Sequence, residues 1–219
     1  MPAMTPRASA ALDRRAPLPV DPGRSIAVKR DVHEFILDAE PAAVARAFRE
    51  VVTEPESRFG LIRVKRPAAR VGRPFAPGER FQGCFSLELA LGPAGALLQL
   101  PGLRALAALI EDHMLSDYAE VVEIVEDAAA QRFRLEYRYL EGTPIAGRSI
   151  FTIEPHGAGA TRVRQIFEYQ EVNGIALGTF QRFGLKYHDQ VVQMEIERAA
   201  ARAGARVLEG TIPAAYRDL

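Results

Sequence analysis

Four histidines and one cysteine are the side chains of this chain most able to move a proton or hold a metal. His188 sits mid-helix between Tyr187 and Asp189. Neighbouring helical residues point about 100° apart, so His188 and Asp189 do not share a face, and His188 reads as a surface histidine. Tyr187 falls on the apolar stripe of that helix and can aim its hydroxyl inward. His113 follows Glu111 and Asp112 at a helix end, where the dipole favours a cation. His33 and Glu34 alternate in a strand and point to opposite faces. His156, between Pro155 and Gly157, belongs to a solvated turn. Cys84 shares a strand face with Gln82 and Ser86, and nothing adjacent in sequence marks a lowered thiol pKa.

No spacing in this set signals a metal. There is no His-x-x-x-His or Cys-x-x-Cys pair, and the expectation is no metal and no cofactor. Gly-x-Ser-x-Gly, the P-loop and the dinucleotide glycine motif are also absent. Gly157-Ala158-Gly159 precedes a strand rather than a helix and reads as a hairpin turn.

Composition narrows the class. The chain has 219 residues, 48% apolar and 26% charged, which suits a globular domain with a substantial core. Lysine plus arginine equals aspartate plus glutamate at 28 each, so no net field attracts nucleic acid. A single cysteine excludes an internal disulfide, and a reducing cytoplasm is the expected compartment. Residues 1–24 are rich in proline, alanine and arginine without the apolar run of a secretory signal, and read as a disordered leader.

The elements that must position these groups follow from periodicity. A strand is expected at about Ala27–Leu37. Asp38, Glu40 and Pro41 then start a helix with Val44, Phe48 and Val51 on one face. Strands follow at Leu61–Lys65 and Arg80–Leu91. The leucine-rich segment at about 93–115 reads as a helical insertion. Four alternating runs come next: Tyr118–Glu126, Gln131–Leu140, Arg148–Glu154 and Thr161–Val172. A long amphipathic helix occupies about Gly178–Arg202, stopped by Gly204. A tail covers 205–219.

This order, with the acidic-Pro helix start in DAEPAAVARAFREV and the late hairpin in YLEGTPIAGRSIFTIEPHGAGATRVRQIFEYQE, resembles the helix-grip fold. That is the fold of the START-like, polyketide-cyclase-like (SRPBCC) superfamily. The resemblance spans about 26–204 and is one of pattern. It implies an α+β domain over 25–204: a curved antiparallel sheet of six to seven strands around a long C-terminal helix. It also implies an internal cavity for a lipid, sterol-like, isoprenoid or polyketide ligand, and, in some members, polyketide ring closure.

Strand phase selects the wall of such a cavity. Phe133, Leu135, Tyr137 and Tyr139 share one face, while Arg132, Arg134, Glu136 and Arg138 share the solvated one. Val163, Gln165, Phe167 and Tyr169 repeat the inward pattern, and Gln165, polar on an apolar face, needs a partner. Phe151 faces inward with Ser149 and Ile153. Phe85 and Leu87 extend the wall, and Phe180, Phe183, Tyr187 and Val191 line the helix side. Two functions fit: a carrier or sensor of a hydrophobic small molecule, or a cyclase, aromatase or dehydratase. In the second, proton transfer falls to Tyr137, Gln165, Tyr187, or Glu136 if the strand phase shifts by one. The 93–115 insertion is the segment that could touch a membrane transiently, and the chain could be monomer or dimer. Convergence of two or more ionisable groups inside the fold discriminates for the enzyme.

Overall fold

The computed structural model describes residues 6–24, 26–53, 58–59, 62–85, 92–114, 116–172 and 185–211. Its centre is an antiparallel sheet. The strands are β1 (Lys29–Leu37), β2 (Arg58–Phe59), β3 (Ile62–Lys65), β4 (Arg80–Phe85), β5 (Ser116–Asp127), β6 (Arg132–Tyr139), β7 (Ile145–Pro155), β8 (Thr161–Glu171) and β9 (Val207–Thr211). They lie in the order β2-β3-β4-β5-β6-β7-β8-β1-β9. The first strand crosses the sheet to pair with β8, and short hairpins join β5 to β8. Seven of the nine follow from hydropathy alternation. The additions are the two-residue β2 and the edge strand β9, formed by chain that reads as tail.

Helix α2 (Pro41–Thr53) and the C-terminal helix (Leu185–Ala203) pack on one end of the inner face. Phe48 is fully buried there, its ring 5.0 Å from Phe151 and 6.2 Å from Phe133. Val44, Val51, Val192, Ile196 and Ala199 close the same cluster. Each large side chain so buried contributes about 1.5–3 kcal/mol. Gly204 ends the C-terminal helix in the left-handed region, at φ +70°. Asp38, a cap candidate by sequence, turns instead to Arg206, whose Nε donates to Oδ2 at 2.7 Å. Glu40 starts α2 with its carbonyl, which accepts from the amides of Ala43 and Val44. Asp38 thereby fixes the entry into β9.

The outer face is charged, as the alternation of β6 requires. Arg134 pairs with Glu123 and Glu136, Arg138 with Glu120, and Arg148 with Glu136 and Glu168. Glu136 is therefore outside the interior, and the strand phase read from sequence holds.

Composition marks residues 1–24 as mobile, but the described part, 6–24, is docked on the sheet. After α1 (Pro6–Leu12), Leu12 is buried against Leu140 and Tyr118. The Arg80 guanidinium donates to the carbonyls of Leu12, Asp13 and Arg15, satisfying acceptors left open at a helix end. Leu18 donates to Tyr139 and accepts from Gly147. The Gln170 side chain bonds Asp21 through both N–H and C=O, and also the carbonyl of Ile26.

The leucine-rich insertion is helical, a 3₁₀ segment (Gly92–Gln99) followed by a helix at Pro101–Met114. Leu97, Leu100, Leu103 and Leu106 are all exposed, whereas Ala107 is buried. Among the described residues no helix is long and apolar enough to cross a membrane.

Candidate functional site

The strand registers align inward-facing residues into rows across the sheet. The lowest row, Phe133, Ile153, Val163 and Phe35, is wholly apolar and lies in the core around Phe48. The next contains Leu135, Phe151, Gln165 and His33. Above it run Val121, Tyr137, Ser149, Phe167 and Asp31. A further row holds Phe81, Ala119 and Tyr139, and the pair Gly147 and Tyr169 continues it. Polarity therefore enters the interior midway up the sheet, where the C-terminal helix brings His188 and Asp189 against β1.

His33 is the hub. It is completely buried; its Nδ1 lies 2.8 Å from Gln165 Oε1 and its Nε2 2.8 Å from Asp189 Oδ1. Gln165 Nε2 donates to Ser149 Oγ at 2.7 Å and approaches His188 Nε2 at 3.3 Å. His188 Nδ1 is 3.6 Å from Asp189 Oδ1, and the His188 ring stacks on Phe167 with centroids 4.2 Å apart. Both His33 nitrogens thus face acceptors, which an imidazole meets only as the doubly protonated cation.

The electrostatics agree with this assignment. Burial alone would push His33 down, but its bonds to Asp189 and Gln165 and the Asp189 charge hold it above the ordinary histidine value. Burial would raise Asp189, yet the adjacent His188 and the bond from His33 hold it below the ordinary carboxylate range. His188 is pushed down, chiefly by burial, and is the neutral imidazole of the pair. Asp31 is pushed up by burial and by the Asp189 charge. Its Oδ2, the Oδ2 of Asp189 and the Nδ1 of His188 are buried atoms without a hydrogen-bond partner.

A second polar group lies along Tyr137. Ser149 faces it across the β6–β7 register, the Tyr139 ring stands edge-on 6.0 Å away, and burial pushes both tyrosines up, so both keep their protons. The Glu195 carboxyl acts electrostatically on both. Burial raises Glu195 to about 8 and Asp117 to about 6. Burial also separates roles. His33, Ser149, Gln165 and Asp189 are buried, while Asp31, Asp117, Tyr137, His188 and Glu195 keep part of their surface open. The first four can only support; the others can meet a guest.

Several wall residues read from sequence take their places here. Tyr137 and Gln165 belong to the polar network, and Phe81 stacks edge-on to Tyr137 at 5.6 Å. Tyr139, Phe167 and Tyr169 form the adjoining aromatic cluster. Phe133, Leu135 and Phe151 are in the core around Phe48, and Val191 packs against its edge. Leu87, Phe180 and Phe183 lie outside the described residues; Phe85 and Tyr187 are described in backbone only.

Two readings are overturned. His188 is not a surface histidine, since 15% of its side chain is exposed. Nor are His188 and Asp189 kept apart by the helix wheel: they meet β1 at the first turns of the helix, where both side chains reach His33. The inward phase of His33, shared with Phe35 and Leu37, was the available signal. His33, His188 and Asp189 also offer three donor atoms within 4.8 Å of one another, a set that could hold a cation although no sequence spacing announces it.

No family model and no curated protein matches the chain. Solved structures similar to it include an uncharacterized protein from Rhizobium leguminosarum, with TM-score 0.43 and 18% identity over 82% of this chain and 97% of that one. A hypothetical protein from Helicobacter pylori has TM-score 0.44 and 14% identity over 81% and 90%. A Thalictrum norcoclaurine synthase point mutant bound to a transition-state analogue has TM-score 0.43 and 12% identity over 80% and 98%.

Proposed function

We propose that this protein is an enzyme of the SRPBCC type that moves protons on an apolar small molecule held against the inner face of the sheet. The observation that carries this reading is the convergence of His33, His188, Asp189 and Asp31 in the interior, with Gln165 in contact with both histidines. A passive carrier needs an apolar wall with one or two orienting groups. Two histidines and two aspartates, some with unpartnered atoms, exceed that need and support catalysis over carriage.

The guest's apolar body lies against Phe81 and Tyr137, whose burial of its surface drives uptake. His188 is the base. It is neutral, partly open, and held in place by Asp189 and Phe167. Its 3.3 Å contact with Gln165 is long enough to be given up to a substrate C–H. Glu195, protonated near neutral pH, is the acid. In an enolisation, the C–H proton passes to His188, the C–H electron pair forms the C=C bond, and the carbonyl π pair moves onto the oxygen. The resulting enolate takes a proton at oxygen from Glu195, and return of both protons restores the ketone.

Deuterium uptake at the methylene carbon of benzoylacetone, followed by NMR, tests this. Exchange should exceed that in protein-free buffer, and His188→Gln should lower the excess at least about tenfold. Exchange no faster than buffer, with the diketone demonstrably bound, would sink the proposal.

A further inference from the structure

The hydrogen bonds of the buried network have a direction. The Asp189 carboxylate can only accept, so His33 Nε2 carries a proton toward it. His33 Nδ1–H then donates to Gln165 Oε1, which turns the Gln165 amide nitrogen toward Ser149. Ser149 Oγ accepts from that nitrogen at 2.7 Å, so its own hydroxyl proton is free for Tyr137, its partner across the β6–β7 register. Tyr139, on the same strand face, has its ring 6.0 Å from that of Tyr137. With its oxygen turned to the Ser149 proton, Tyr137 is left to donate its own.

Tyr137 keeps part of its surface open, while Ser149, Gln165, His33 and Asp189 are covered. The chain therefore starts at a buried imidazolium and ends at a single donor facing inward. Hydrogen bonds linked in one direction polarise one another, and a cation at the start strengthens the last donor. Tyr137 lies beside Glu195 and Phe81, within the site to which the proposed acid and base belong.

We propose that Tyr137 is an oxyanion donor, aligned through Ser149 and Gln165 by the His33–Asp189 pair, and that the substrate is an apolar molecule bearing an oxygen that gains negative charge, as a ketone does on enolisation or a phenol on ionisation. This rests on the reading of the interior as a site for an apolar guest, and it names the atom of the guest that the protein recognises. Tyr137 touches that oxygen; Ser149, Gln165, His33 and Asp189 are positioning residues.

The test compares para-nitrophenol with para-nitroanisole, which has the same body but cannot ionise. The absorbance of bound nitrophenol reports its ionisation. The phenol should bind at least about tenfold tighter than the ether, with its ionisation shifted toward the phenolate. Tyr137→Phe should abolish both the preference and the shift. Ser149→Ala should remove about fivefold of the preference and most of the shift, although Tyr137 remains. Thermal unfolding monitors folding, and Ser149→Ala, deleting one oxygen, is the variant that should stay folded if Tyr137→Phe does not. Equal binding of phenol and ether overturns the inference, and so does a shift that survives Ser149→Ala. If neither compound binds, the apolar-guest reading falls too; equal binding of both leaves that reading standing.

Discussion

Glu195 carries a carboxyl group on the inner side of the C-terminal helix. Its ordinary pKa of 4.5 becomes about 8 in the fold because burial penalises the anion. The unfolded chain loses this proton near pH 4.5, and the folded chain keeps it to about pH 8. Raising the pH between these values thus favours the unfolded state, and the group costs stability that is greatest above about pH 8. Glu195→Gln should accordingly raise the melting temperature more at pH 8.5 than at pH 4.5, by the equivalent of a few kcal/mol on the order expected for such a shift. Calorimetry at the two pH values checks it; an equal effect at both would show that Glu195 ionises normally. At this scale the sequence was partly legible. Gln165 stood out as a polar side chain on an apolar strand face, and it does have partners. His33 and Asp189 did not stand out, because they are 156 positions apart and meet only through tertiary packing.

At the scale of elements, alternation in β6, β7 and β8 was enough to place Tyr137, Ser149 and Gln165 inward and the arginines outward. What alternation could not supply was the neighbour relation across strands, which depends on register. Gly147 is one residue on which that register rests. It has φ +131°, and a Cβ there would come within 2.0 Å of the Glu168 carbonyl oxygen of β8. Only glycine lets the two strands approach so closely beside Tyr169. Gly147→Ala should cost about 2 kcal/mol or more in urea unfolding, through strain and displacement of backbone rather than lost contacts. A variant as stable as the parent would mean that the strands separate there without penalty. The insertion helix shows the converse limit. Its leucines recur at helical spacing and do form a helix, but the pattern alone could not say that Leu97, Leu100, Leu103 and Leu106 would stay exposed.

For the whole molecule, composition misjudged residues 6–24. Proline, alanine and arginine suggest chain with too little apolar surface to order itself. That argument omits surface lent by the rest of the fold. Leu12 finds Leu140 and Tyr118, and Arg15 lies over the Tyr118 ring at 3.7 Å. Leu12→Ala should therefore lower stability by about 2 kcal/mol in urea unfolding. No change would mean that α1 is only loosely attached. The same attachment bears on how the polypeptide is made. Asp21 bonds Gln170, 149 positions further on, and Arg15 bonds Glu141. On the ribosome the stretch from Arg15 to Asp21 must wait, unplaced, until Gln170 has emerged, so it is seated only after most of the sheet has been synthesised.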